Sequence, residues 1–337
     1  MLFNRMRSLG KEIDDATGAF CYPHPHTLDL CMAPGGYSAT VLDGHPDATI
    51  RGVSLPRSLG GYRLMVRYDR RDPRVQVRFM DITMLAAEFG VRLNDIPSHH
   101  PDASQFVSDR PFLGQDFDIV ICDGQVLKEH IRGEWREYYE ATRLLMSQLI
   151  LGLQRIKKGG TFVMLLHKFA TWYTCTLLKT FDAFSSVTLF KPESMHAKKS
   201  TFYLVAKNVQ PQSGPAKEAV KEWKRVWYLA TFGGDEGRGS FQEDPSEELV
   251  AAFLEEFGSR LVQLGETIWG VQTRALENAP YARKGHLGYT ADVDGTPLHR
   301  WHKVPYGTSL PAGTGDNQCG GIVEDSELRG IMIGRRM

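Results

Sequence analysis

Apolar positions alternate between a helical and a strand period along the first 207 residues. Phe3, Met6, Leu9 or Gly10, Ile13 and Ala16 or Thr17 recur at helical spacing and predict a helix over 3–20. Gly18 ends it, and Pro23 and Pro25 bar its return. An apolar run at 27–31 predicts a buried strand, then the turn Ala33-Pro34-Gly35-Gly36 and a helix from Tyr37 to about Leu42. Strands follow at 49–55 and at 75–80, the latter alternating through Val75, Val77 and Phe79. Residues 83–115 read as a helix and then a long polar stretch, and 117–122 as a continuous apolar strand. Tyr138–Ile156 is amphipathic, with Thr142, Leu145, Leu149, Leu153 and Ile156 on one stripe and Lys157-Lys158-Gly159-Gly160 closing it. A strand at 161–166, a helix at 172–181 and two strands at 186–190 and 200–206 complete the series. Strands alternating with helices predict an α/β fold, a doubly wound and mostly parallel sheet with an antiparallel final strand.

The pattern changes after this point. Residues 208–215 have linker composition, 216–231 and 247–280 read as helices, and 281–337 as a polar, extended tail. The expected division is thus a domain over 1–207, a linker over 208–215, a helical appendage over 216–280 and the tail. Trp223, Trp227 and Trp269 are the large apolar side chains those helices have to bury.

Formal net charge is zero, which argues mildly against tight general binding to nucleic acid but leaves room for a local basic patch. None of the five cysteines forms a C-x-x-C pair, so neither a disulfide nor a metal site is expected, and a reducing compartment is. There is no apolar run of about 18 residues and no apolar leader, which predicts a cytoplasmic or nuclear protein with no membrane partner. His99 and His100 lack a third ligand at metal spacing and read as a loop.

Chemistry concentrates at the carboxyl ends of the strands. In an open parallel sheet ligands bind outside that edge, and here it collects Asp29–Gly36, Ser54, Leu55, Asp81 and Asp123. Glycines let a backbone approach a ligand closely, and a helix N-terminus offers free N–H groups to a negative one. Asp81 either faces a ligand or caps the turn before Thr83. Asp123 ends a wholly apolar strand before a glycine, so its carboxylate reaches the cleft.

Four blocks carry a family resemblance: Asp-Leu-Cys-Met-Ala-Pro-Gly-Gly-Tyr-Ser at 29–38, Asp-Phe-Asp-Ile-Val-Ile-Cys-Asp-Gly at 116–124, Gly-Gly-Thr-Phe-Val at 159–163, and Phe-Lys-Pro-Glu-Ser with Ser-Thr-Phe-Tyr-Leu-Val-Ala within 190–206. In this order they resemble the FtsJ-like, ribose 2′-O methyltransferases. The resemblance covers residues 1–207 and implies a Rossmann-like sheet and S-adenosylmethionine as cofactor. It implies cofactor contacts from Asp29, Cys31, Ala33, Pro34, Gly35, Gly36, Tyr37, Ser54, Leu55, Asp81, Ile82 and Asp123. It also implies a Lys-Asp-Lys-Glu tetrad that orients a ribose hydroxyl. Asp123 is the aspartate. The central lysine belongs five residues beyond Gly160, where Leu165 stands, and Lys168 follows three residues later. Thr201 stands where the glutamate belongs. The first lysine aligns near Asn4 or Arg5, with Lys11 a looser match. The expected catalytic set is therefore Asp123, Lys168 and Arg5.

Three readings remain open: an RNA 2′-O-methyltransferase with a rearranged tetrad, a methyltransferase on a small-molecule acceptor, and a cofactor-binding scaffold. Two basic clusters bear on the choice, Lys128, His130, Arg132 and Arg136 after Asp123, and Lys191, His196, Lys198 and Lys199 in the last hairpin. Lining one rim with Arg5, they would form a phosphate track. The arginines of 57–74 could also touch phosphates. The acceptor and the oligomeric state are not written in these motifs.

Overall fold

The computed structural model describes residues 1–279. The tail at 281–337 and Cys319 lie outside the described residues. Helix α1 (Leu2–Thr17) ends at Gly18, whose φ of 59° closes it in the left-handed conformation. Strand β1 (His26–Leu30), helix α2 (Gly36–Gly44), β2 (Thr49–Ser54), β3 (Val75–Phe79) and β4 (Phe117–Cys122) follow. Then come α3 (Glu140–Arg155), β5 (Ile156–His167), α4 (Trp172–Asp182), β6 (Ser186–Phe190), β7 (Thr201–Val209), α5 (Gly214–Phe232) and α6 (Glu247–Glu277).

The seven strands form one sheet in the order β3-β2-β1-β4-β5-β7-β6. β1 to β5 are parallel, and β7 runs antiparallel between β5 and β6. The order reverses between β1 and β4, which opens the crevice at their carboxyl ends. Leu28, Leu30, Val120, Cys122, Phe162 and Met164 face α3, α4, α5 and α6. Ile50, Ile119, Ile121, Val163 and Val205 face α1 and α2.

Three expectations need correction. Residues 83–115 hold no α-helix: they form short 3-10 turns at Ile82–Met84, Leu93–Asp95 and Ala103–Gln105. Gly90, Pro97 and Pro101 break the pattern, and Leu85, Ala86 and Phe89 are buried without a helical turn. Lys157–Gly160 does not cap α3. Ile156 turns extended, with φ −74° and ψ 139°, and those residues belong to β5. Nor does α3 carry one apolar stripe, because the sheet covers one side and α5 the other. Met146, Ser147, Gln148, Leu149, Ile150 and Leu151 are all buried.

Asn208 and Val209 finish β7 and Gly214 and Pro215 open α5, so only 210–213 connect them. Ser213 caps α5 by accepting from the Ala216 N–H. Trp227 on α5 is fully buried, stacks at 4.4 Å on Phe89, and donates its indole N–H to the Thr83 carbonyl at 3.1 Å. Helices α5 and α6 therefore share one core with the sheet. No helix of the described residues is long and apolar enough to cross a membrane. Trp227→Ala should destabilise the protein by about 3–5 kcal/mol in urea unfolding, since it empties a core site and orphans a carbonyl. A loss below about 1 kcal/mol would show that α5 is not part of that core.

Candidate active site

The glycine turn after β1 is a crossing point for three segments. Gly35 holds φ at 94°, which an L side chain rarely adopts, and a Cβ there would meet Val66 Cγ2 at 2.8 Å. A Cβ on Gly36 would meet Met6 Cβ, the Phe3 carbonyl oxygen at 2.7 Å and the Arg7 nitrogen at 2.8 Å. The missing Cβ atoms thus admit the 56–68 loop and helix α1, not a ligand. The Met65 N–H donates to the Pro34 carbonyl at 3.0 Å and straps that loop down. The loop is held in turn by the Ile131 N–H, which donates to the Leu59 carbonyl at 3.0 Å.

Beneath the turn lies Asp29, 2% exposed. Its Oδ2 accepts from the Ser38 hydroxyl at 2.5 Å, so it positions the start of α2. Pro34, Gly35, Gly36, Tyr37, Ser54 and Ile82 are also buried, whereas Cys31, Ala33, Leu55, Asp81 and Asp123 reach the surface of the edge. Cys31 stands among Asp29, Asp81 and Asp123: burial and these three carboxylates push its thiol pKa far up.

Asp81 is spoken for on both oxygens. Oδ1 accepts from the Thr83 N–H at 2.9 Å and the Thr83 hydroxyl at 2.7 Å, which is the capping role. Oδ2 accepts from Arg136 at 2.7 Å. Burial opposes the Asp81 charge, yet Arg136 and Thr83 hold its pKa below the ordinary value. Arg136 also pairs with Glu140, and Glu140 with Arg143 at 2.7 Å, and Arg143 donates to the Thr231 hydroxyl on α5 at 3.1 Å. A buried chain of charges thereby ties the cofactor edge to α5. Arg136 and Glu140, four residues apart, and Glu140 and Arg143, three apart, carried the short-range sequence signal for it.

Asp123 ends β4 beside Cys31. Tyr203 on β7 donates to its Oδ1 at 3.4 Å, and the Tyr203 and Tyr37 hydroxyls are bonded at 2.8 Å. Burial and the Asp29 carboxylate push the Asp123 pKa up to about 7, against the opposing pull of the two tyrosines. Neither tyrosine was singled out as catalytic; Tyr37 lies under the turn, 1% exposed. Leu165, where the resemblance leads one to expect the central lysine, is buried and pairs with Tyr203 across the strands. Thr201, where it leads one to expect the glutamate, takes the His167 Nδ1 at 3.0 Å. Lys168 is exposed at the end of β5, with φ 50° and its N–H bonded to the Ser200 carbonyl at 3.1 Å. Arg5 is exposed on α1.

The two expected basic clusters are mostly spent on structure. Arg132 donates to the Leu127 and His130 carbonyls, Arg136 is buried in its ion pairs, and Lys191 is 2% exposed with its ammonium on the Lys199 and Thr201 carbonyls. Burial pushes the Lys191 pKa down to about 8. Lys128, Lys198 and Lys199 stay exposed. Helix α6 closes on this side through Trp269, 5.2 Å from the Phe169 ring, and Gln272 beside Lys191 at 3.4 Å.

The family pattern of FtsJ-like methyltransferases matches residues 11–209. This chain belongs to that family. A relative from Dictyostelium discoideum, assigned as a tRNA (cytidine(32)/guanosine(34)-2′-O)-methyltransferase, is 26% identical over 188 residues, 55% of this chain and 59% of the relative. The chain thus matches under two thirds of that relative's length. A ribosomal RNA methyltransferase structure from Plasmodium falciparum is 19% identical with a TM-score of 0.40, covering 61% of this chain and 97% of that one. An O-methyltransferase family protein from Burkholderia thailandensis is 15% identical with a TM-score of 0.36, covering 62% and 59%.

Burial pushes the Asp29 pKa to about 7 from an ordinary 3.8, while Ser38 pulls it back. The folded FtsJ-like domain then binds this proton more tightly than the unfolded chain. Stability falls as pH rises from about 4 to about 7, and the deficit is complete above that. Asp29→Asn removes the titration, so its melting temperature relative to the parent should be higher at pH 8 than at pH 5. A difference that does not vary with pH would show that Asp29 is charged throughout.

Proposed function

We propose that this FtsJ-like protein methylates the ribose 2′-oxygen of an RNA, using S-adenosylmethionine. The observation that carries the reading is Asp123, half-buried at the switch point beside the glycine turn and fixed by Tyr203. The cofactor fits this edge chemically. Asp123 brings negative charge to a ligand with an ammonium and a sulfonium, Asp81 shapes the edge through Thr83 and Arg136, and Cys31, Ala33 and Leu55 give a surface for its apolar parts. Asp29 and Ser38 would hold the turn against it from below. S-adenosylmethionine supplies an electrophilic methyl group on a positively charged sulfur.

The chain's own residues have two tasks at the acceptor. A ribose hydroxyl must be aimed along the line of displacement, and its proton must leave as the oxygen attacks. Asp123 accepts that proton. With a pKa near 7 it is a far better proton acceptor than an ordinary carboxylate, and it is still substantially ionised at neutral pH. Tyr203 donates to one carboxylate oxygen and leaves the other for the acceptor. Lys168, and Arg5 from α1, supply positive charge to the developing alkoxide in place of the lysines that Leu165 and Asn4 displace. The family membership and the Dictyostelium relative support RNA as acceptor.

Calorimetry should show cofactor binding by the parent and weaker binding by Asp123→Asn, and at saturating cofactor methyl transfer to RNA should be reduced about 10²–10⁴-fold in the variant. Lys168→Ala should lose about 10²-fold in transfer. Full transfer by Asp123→Asn would remove Asp123 from the chemistry, and failure of the parent to bind the cofactor would end this reading.

A further inference from the structure

The seven arginines at Arg57, Arg63, Arg67, Arg70, Arg71, Arg74 and Arg78 are not explained by the transfer site. Arg74 is committed to Asp72 at 2.7 Å, and Arg71 lies over the Tyr68 ring at 5.0 Å. Arg57, Arg63, Arg67, Arg70 and Arg78 have exposed side chains. The first three ride on the loop that straps the glycine turn. The chain then runs to β3, the edge strand of the sheet.

Along β3 lies an open groove of about 700 Å³. Arg70, Arg78 and Arg110 line it, Arg110 also lying 3.6 Å from the Glu88 carboxylate, with Asp69 the single acid among the lining residues. Its floor includes Phe112 and Leu113, and Leu113 is 56% exposed. Phe79, expected inward from the alternation of β3, is instead 42% exposed and packs on the Tyr68 ring at 6.0 Å, on the face of the strand opposite Arg78 and outside the groove. Cationic forks beside the exposed Leu113 suit a nucleic acid strand: the arginines take phosphates and the apolar side chain takes a base face. The groove begins where the Arg57–Arg67 loop ends along the chain, and Asp69, Arg70, Pro73 and Gln115 in its lining precede β3 and β4, so it lies away from the carboxyl edge of the sheet.

We propose that the groove beside β3 binds the backbone of a single-stranded RNA segment flanking the methylated nucleotide. This rests on the RNA acceptor proposed above. It also places the basic surface on the opposite flank from the hairpin lysines, where sequence patterning had put the alternative cluster. The groove holds the acceptor at a distance from the chemistry, so it governs binding and not the transfer step.

The test uses the full chain and a labelled single-stranded RNA of about 12 nucleotides, read by fluorescence anisotropy at about 0.1 M salt. Arg70→Glu/Arg78→Glu changes exposed side chains only, and an unchanged melting temperature establishes that it folds. Lys217→Glu/Lys221→Glu on α5 matches the charge change outside the groove. The groove variant should bind about tenfold or more weakly, with a shallower salt dependence, while the α5 variant binds like the parent. At saturating RNA the groove variant should keep the parent kcat and raise KM. Equal weakening by both variants, or parent-like binding by the groove variant, overturns the groove while leaving the RNA acceptor standing. A parent that transfers methyl only to a small acceptor and binds no RNA overturns the acceptor reading itself, and the groove with it.

Discussion

Gly36 against the backbone of α1 is the contact on which the rest of the site depends. With no Cβ between them, α1 settles onto the turn after β1, and the turn settles onto Asp29. That packing sinks Asp29 into the sheet and leaves Asp123 as the carboxylate at the surface. Burial then raises the proton affinity of both acids, and the Asp29 carboxylate raises that of Asp123 further. A larger residue at Gly36 would need the α1 backbone to shift, and with it Met6 and Tyr37. A motif that reads as a ligand cradle is here first a packing device.

The second organising feature is the buried charge chain from Asp81 through Arg136, Glu140 and Arg143 to Thr231. Each member is satisfied, which such a network needs if it is not to cost stability. It makes α5 part of the frame that holds the cofactor edge. Trp227 repeats the connection through the Thr83 carbonyl, so the end of β3 is anchored twice to a helix far along the chain.

Much of this was legible in sequence because it is local. The strand at 117–122, the turn at Ala33–Gly36 and the stop at Gly18 follow from apolar runs and backbone chemistry over a few residues. What escaped is long-range. The Tyr37–Tyr203 bond spans 166 positions, and no spacing rule reaches that far. The false helix after 83 arose because Leu85, Ala86 and Phe89 are apolar for the sake of Trp227, not of a helical face. Lys157–Gly160 carried helix-ending residue types but served a strand, since tertiary pairing with β4 and β7 overrides a weak local preference. Leu165 and Thr201 stand where the resemblance leads one to expect a lysine and a glutamate. That tyrosines surround Asp123 was not legible in the sequence.

The position of the transferred methyl group is the most direct measurement. RNA is incubated with the protein and methyl-labelled S-adenosylmethionine, digested to nucleosides, and resolved by chromatography and mass spectrometry. Label in a ribose 2′-O-methyl nucleoside, absent with Asp123→Asn, is the expected result. Label on a base, or none in RNA while a small acceptor is methylated, would contradict the assignment of this site to ribose chemistry.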